Sequence, residues 1–217
     1  MLDKSSLAAL DAALLHQPTT VAGLLVDRQD QVLACEARRH PYGFVVVSLG
    51  SLDQGTGRLV YRLHIWPQGF ELPGSADLMV HDHVYDIVSH ILVGALVQHE
   101  YEEDDRGTPF ASYKGLYDGP HSILERLPGI IRIREFAVER KEAGQTYTLP
   151  AGALHMVMVD STVFTATVLR TRYDEGRIDP LILAPFDAPA RYRFDRDLIP
   201  DAESEAAVGD LLRRLQL

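Results

Sequence analysis

The spacing of apolar residues changes character near residue 44. Before it the rhythm is helical: Leu7, Leu10, Leu14 and Leu15 recur at intervals of three and four behind Ser5 or Ser6 as a cap, which predicts an amphipathic helix over 4–15. A second helix is expected from Val21 to Arg38, broken by His40-Pro41-Tyr42-Gly43. From Phe44 onward the period is two. Phe44 to Leu49 and Arg58 to Trp66 read as a hairpin around the turn cluster SLDQGTG. In the second strand Leu59, Tyr61, Leu63 and Ile65 share one face, and Val60, Arg62, His64 and Trp66 share the other. The first face is predicted core and the second is predicted to carry functional groups.

Further strands are expected at 78–85, 87–93, 95–102, 130–138, 146–149, 155–159 and 162–173, with Arg191 to Arg196 as a last strand. On 162–173, Thr165, Thr167, Leu169, Thr171 and Tyr173 fall on one face, and Phe164, Ala166, Val168, Arg170 and Arg172 on the other. Glu102 to Pro120 is polar and rich in Asp, Gly and Tyr, and reads as a long loop. Glu203 to Leu217 closes the chain as a helix, with Val208, Leu211, Leu212 and Leu215 on its apolar stripe. Many short strands between turn signals predict an all-β fold, a barrel or jelly roll. The expected organisation is one domain over 1–217: a helical extension 1–40, a barrel 41–198 and a C-terminal helix 199–217.

Composition narrows the partners. Hydrophobic residues make up 46% of the 217 and charged residues 24%, enough for a packed core. The formal net charge of −10 repels phosphate backbones and anionic lipid, so neither nucleic acid nor membrane is an expected partner. A single cysteine, Cys35, excludes an intrachain disulfide and a cysteine zinc cluster. With no recognisable leader and no membrane-length apolar run, a cytoplasmic protein is expected.

Candidate chemistry centres on histidine. His81 and His83 stand one residue apart, so on an extended strand both imidazoles point the same way. The stretch Gly144 to His155 holds a short strand, then Pro150-Ala151-Gly152, then His155 at the start of the next strand. Proline restricts the turn and glycine permits its left-handed step, which returns His155 towards the first pair.

These two segments resemble the two signature motifs of the cupin superfamily. The second matches in full from Gly144 through Pro150 and Gly152 to His155. The first runs one residue long between Gly74 and His81, with Gly94 near the position of the family's closing glycine. The resemblance covers about 44–173 and implies a double-stranded β-helix holding one metal ion on His81, His83 and His155. The usual carboxylate ligand is replaced by Ile87 and Val88. Asp86, one residue early and of the wrong parity, reads as a supporting or surface group. Three neutral imidazoles leave a divalent charge uncompensated and positions open, which favours an anionic chelating substrate and dioxygen.

Three histidines without a carboxylate are also found in the cysteine-dioxygenase-like thiol dioxygenases, which use ferrous iron and have a helical N-terminal extension. Their Ser-His-Tyr relay is absent here and Cys35 is remote from Val88, so a small acid other than a thiol is the expected substrate. Fe(II) is the first choice, with zinc, nickel or manganese as alternatives for isomerisation or hydrolysis. A binding module without catalysis is the other alternative, and a homodimer through an exposed sheet edge or the terminal helices is an expected assembly. Arg62 and His64, which share a strand face, are candidates to meet the substrate, Arg62 as a fork for its carboxylate. Tyr85, of the same parity as the ligand histidines, is a candidate pocket residue. His90 and His99 become ligands only in another register, and His16, His40 and His121 read as structural.

Overall fold

The computed structural model describes residues 1–55, 57–71, 80–118, 121–173, 179–195 and 197–217. Gly74, the start of the strand expected at 78–85, and Arg196 lie outside them. The architecture is mostly β: two antiparallel sheets, with helices at both ends of the chain.

The first helix, α1 (Lys4–His16), forms as expected, but its cap is Asp3, whose carboxylate accepts from Ser6 N–H at 2.8 Å. Leu7, Leu10 and Leu14 are buried, and Leu15 is 43% exposed. The single helix expected over Val21–Arg38 does not form. A 3₁₀ turn (Pro18–Thr20) leads into α2 (Val21–Asp27) and α3 (Gln29–Leu33), and Ala37–Arg39 is instead an edge strand, β1. β1 pairs with Val45–Val47, and those sheet hydrogen bonds outweigh the helical pattern that runs into it.

The first sheet has the order β1–β2–β3–β11–β5–β9, with β2 (Val45–Gln54), β3 (Gly57–Trp66), β5 (Tyr85–Val93), β9 (Thr146–Leu149) and β11 (Thr165–Tyr173). Its two faces divide as the alternation predicts. Leu59, Tyr61, Leu63 and Ile65 are at most 1% exposed. With Ala166 and Val168 they form the main core against α1, α2 and the C-terminal helix α4 (Asp201–Leu215), which buries Val208, Leu211 and Leu212. Close approach of α1 requires Gly50: a Cβ there would lie 2.8 Å from Leu7 Cδ1. Asp11 of α1 ties the layers together, accepting from Tyr61 Oη at 2.7 Å and Arg170 Nε at 2.5 Å.

The second sheet contains β4 (Val80–His81), β6 (Ala95–Asp118), β7 (His121–Arg126), β8 (Ile131–Glu142), β10 (Leu154–Met158), β12 (Leu181–Pro185) and β13 (Arg191–Asp195). The loop expected over Glu102–Pro120 is instead the continuation of β6 as far as Asp118. This strand pairs with β8 and β10 along its first half and with β12 and β7 along its second. Ladder pairing runs along most of it, with a break over 104–107, and Arg134 pairs with two of its acidic residues, Glu102 and Asp104. Gly94 is the one-residue link between β5 and β6, where the chain passes from the first sheet to the second.

Candidate metal centre

The two histidine segments meet because the Pro150 turn is bonded directly to the first of them. Ala153 N–H donates to Pro150 C=O at 3.2 Å, and Gly152 has a φ of 83°, as the third residue of a type II turn requires. Gly152 N–H donates to His83 C=O at 2.9 Å, and Ala151 N–H donates to the Asp86 carboxylate at 2.9 Å. Asp86 therefore clamps the turn and is not among the three clustered histidines. His155 then pairs with His81 across β10 and β4.

The three imidazoles converge. Ring centroids are 4.6 Å apart for His81 and His155, 4.8 Å for His81 and His83, and 5.0 Å for His83 and His155. One nitrogen from each lies within 4.8 Å of the others. Three nitrogens each about 2.1 Å from one ion and evenly spaced about it are at most about 3.6 Å apart, so the rings would draw closer together on binding an ion. His155 Nδ1 faces Ala153 C=O at 3.2 Å, so this nitrogen carries the proton and Nε2 keeps its lone pair for a ligand. Burial, with His81 beside it, pushes the His155 imidazole down to about 3. His83 is held well below its ordinary value by burial first and by the neighbouring histidines next. Both rings are neutral at pH 7, the form that binds metal.

These residues open into a cavity of about 680 Å³ between the two sheets, within the range of small-molecule sites. The polar face of β3 supplies Arg62, His64 and Trp66. Arg62 donates to Thr171 Oγ1 at 3.3 Å and to Tyr173 Oη at 3.1 Å, and its guanidinium lies 5.9 Å from the Tyr85 ring. Tyr85 in turn stacks on His83, with centroids 4.9 Å apart, which joins Arg62 to the histidine cluster. Burial, helped by Arg62, lowers His64 to about 3, so this ring is also neutral. Ile87 lines the wall as an apolar residue at the position where the cupin resemblance places a carboxylate. Among the described residues lining the cavity, Arg38, Arg39 and Arg62 are cationic and none is Asp or Glu.

The other histidines separate cleanly. His90 is buried with Nδ1 2.8 Å from Thr146 Oγ1, and His99 Nδ1 is 2.8 Å from Glu135 Oε2. Neither joins the cluster. His121 pairs with Asp195 at 2.6 Å. His40 accepts from Tyr42 N–H at 3.2 Å and stacks on Phe44, with centroids 4.2 Å apart, at the cavity wall. Phe44, Tyr42, Trp66 and Tyr173 are further cavity residues that the sequence reading did not single out. Trp66 shares the alternation of Arg62 and His64, and Tyr173 that of Thr167 and Thr171, whereas Tyr42 and Phe44 carried no such signal. Asp82 is buried on the opposite side, where its carboxylate accepts from Leu181 N–H at 2.7 Å and fixes β12 beside β4.

No helix among the described residues is long and apolar enough to cross a membrane. Neither protein-family models nor curated proteins match this chain.

Proposed function

We propose that the chain is a metal-dependent cupin, its two sheets forming the double-stranded β-helix of that superfamily, and that it is a mononuclear non-heme iron dioxygenase acting on a small anionic molecule. The observation that carries this reading is the convergence of three imidazoles on a cavity whose described lining holds arginines and no carboxylate. His81, His83 and His155 would hold the metal, His155 through Nε2. Ferrous iron supplies the one-electron chemistry by which dioxygen reacts with an organic molecule, and incorporating both oxygen atoms needs no external reductant.

The remaining roles fall to the chain's own groups. Three neutral ligands do not offset a divalent charge, so an anionic substrate completes the electrostatic balance. Arg62 offers such a substrate a planar set of donors, held in place by Thr171 and Tyr173. Tyr85 keeps Arg62 and His83 at a fixed separation through its ring face. His64, neutral and shielded, is a hydrogen-bonding group for the substrate.

The test is oxygen uptake by protein loaded anaerobically with ferrous iron, over a panel of small carboxylates, thiols and diketones. Substrate-dependent uptake, lost in Arg62→Met for the carboxylates, supports the reading. Absence of uptake across the panel overturns it. Turnover without oxygen by the zinc, nickel or manganese form identifies a non-oxidative enzyme instead.

A further inference from the structure

The cavity has a second ordered feature beside the histidines and Arg62. Phe44 is the hub of a continuous aromatic wall. It stacks on His40 with an interplanar angle of 13°, meets Trp66 at 4.7 Å between centroids, and meets His64 at 4.8 Å. Tyr42 continues the wall to within 5.8 Å of His81. These rings belong to the 40–44 turn and to β3, and all of them line the cavity. Aromatic faces placed together favour offset or tilted contact with another π-system over contact with a flexible chain of equal area.

The histidine cluster touches this wall and the surroundings of Arg62: His81 approaches Tyr42, and His83 stacks on Tyr85, whose ring lies 5.9 Å from the Arg62 guanidinium. A molecule at the cluster thus has a cationic fork and a surface of aromatic rings within the same cavity. We infer that this site takes an aromatic carboxylate, its carboxylate on Arg62 and its ring against Phe44 and Trp66. This deepens the proposed function and rests on it for the choice of an anionic ligand, but the aromatic contact itself requires no metal.

Trp66 is the only tryptophan in the chain, so its fluorescence reports this wall and nothing else. The experiment uses the full chain, freed of metal with a chelator, titrated with four probes of similar size: benzoate, cyclohexanecarboxylate, benzamide and butyrate. Isothermal calorimetry repeats each titration. Saturable binding of benzoate with a change in Trp66 emission is expected, at least tenfold tighter than cyclohexanecarboxylate, which keeps the charge but loses the flat ring. Benzamide, which keeps the ring but loses the charge, is expected to bind at least tenfold more weakly. Phe44→Leu should reduce the preference for benzoate over cyclohexanecarboxylate by at least threefold, and an unchanged preference overturns the role of Phe44. Equal affinity for the planar and the puckered acid overturns the aromatic assignment, as does absence of benzoate binding. Retention of metal by the untreated protein is measured separately. A failure of the aromatic assignment is therefore distinct from a failure of the metal centre.

Discussion

The two faces of β3 differ by one step in sequence and by the whole of their purpose. Leu59, Tyr61, Leu63 and Ile65 are sealed beneath helices and are exchangeable in principle for any side chains that fill the same volume. Arg62, His64 and Trp66, interleaved with them, face a cavity, where their value lies in charge and ring shape. The packed core lies on one side of the sheet and the cavity on the other. A substitution on either face should therefore leave the other face's property nearly intact.

The sharpest test is His155→Ala. Removing one of three imidazoles should weaken metal binding by about three orders of magnitude or more, roughly 4 kcal/mol, with little change in thermal midpoint of the metal-free protein. Metal analysis after dialysis, with circular dichroism alongside, checks this. Unchanged metal content would remove the assignment. On the opposite face, Leu63→Ala should lower unfolding stability by roughly 2–5 kcal/mol, seen as a shifted denaturant midpoint. Metal affinity of the surviving folded fraction should stay within a factor of a few.

Asp86→Ala tests the clamp on the Pro150 turn. Loss of the acceptor for Ala151 N–H should loosen delivery of His155 and weaken metal binding about tenfold, whereas Asp86→Asn keeps an acceptor oxygen and should recover most of it. The smallest effect is expected at Asp3, far from the cavity. The Ser6 N–H, with Ser5 and Gln31, holds its carboxyl below the ordinary carboxylate range. Its stabilising contribution is present above the unfolded value near pH 4 and is lost as the pH falls through the lower folded value. Asp3→Ala should lower the melting temperature modestly at pH 7, and the gap from the parent should close in acid.

Legibility in the sequence followed the range of the interactions involved. The alternation in Arg58 to Trp66 was readable because both faces of β3 are specified, one by apolar residues and one by functional ones. Thr146–Leu149 coincides with its expected bounds, since Gly144 and Pro150 punctuate it at both ends. The histidine cluster was readable from the spacing of His81 and His83 and from the Pro-x-Gly turn, although the strand carrying the first pair ends at His81 and His83 lies beyond it.

The second half of β6 was not readable. Its composition is that of a loop, and its pairing with β7, which follows it directly, and with β12, distant in sequence, makes it a strand. The end of the expected second helix failed because β1 is defined by its pairing with β2 across the 40–44 turn. The aromatic wall depends on bringing His40 and Phe44 beside His64 and Trp66. That juxtaposition arises from cross-strand register and leaves no trace in either segment alone.

Strand β8 has a further consequence, for how copies of the chain behave at high concentration. Among the described residues it pairs only with β6, leaving a twelve-residue edge that could template growth of a larger sheet. Phe136 is an extra residue opposite the Glu100/Tyr101 step and kinks this edge, and beyond it Glu139, Arg140, Lys141 and Glu142 crowd it with charge. An edge interrupted in this way resists end-to-end recruitment of further chains. This border of the second sheet is thereby a poorer template for a further strand than a flat, uncharged edge of the same length.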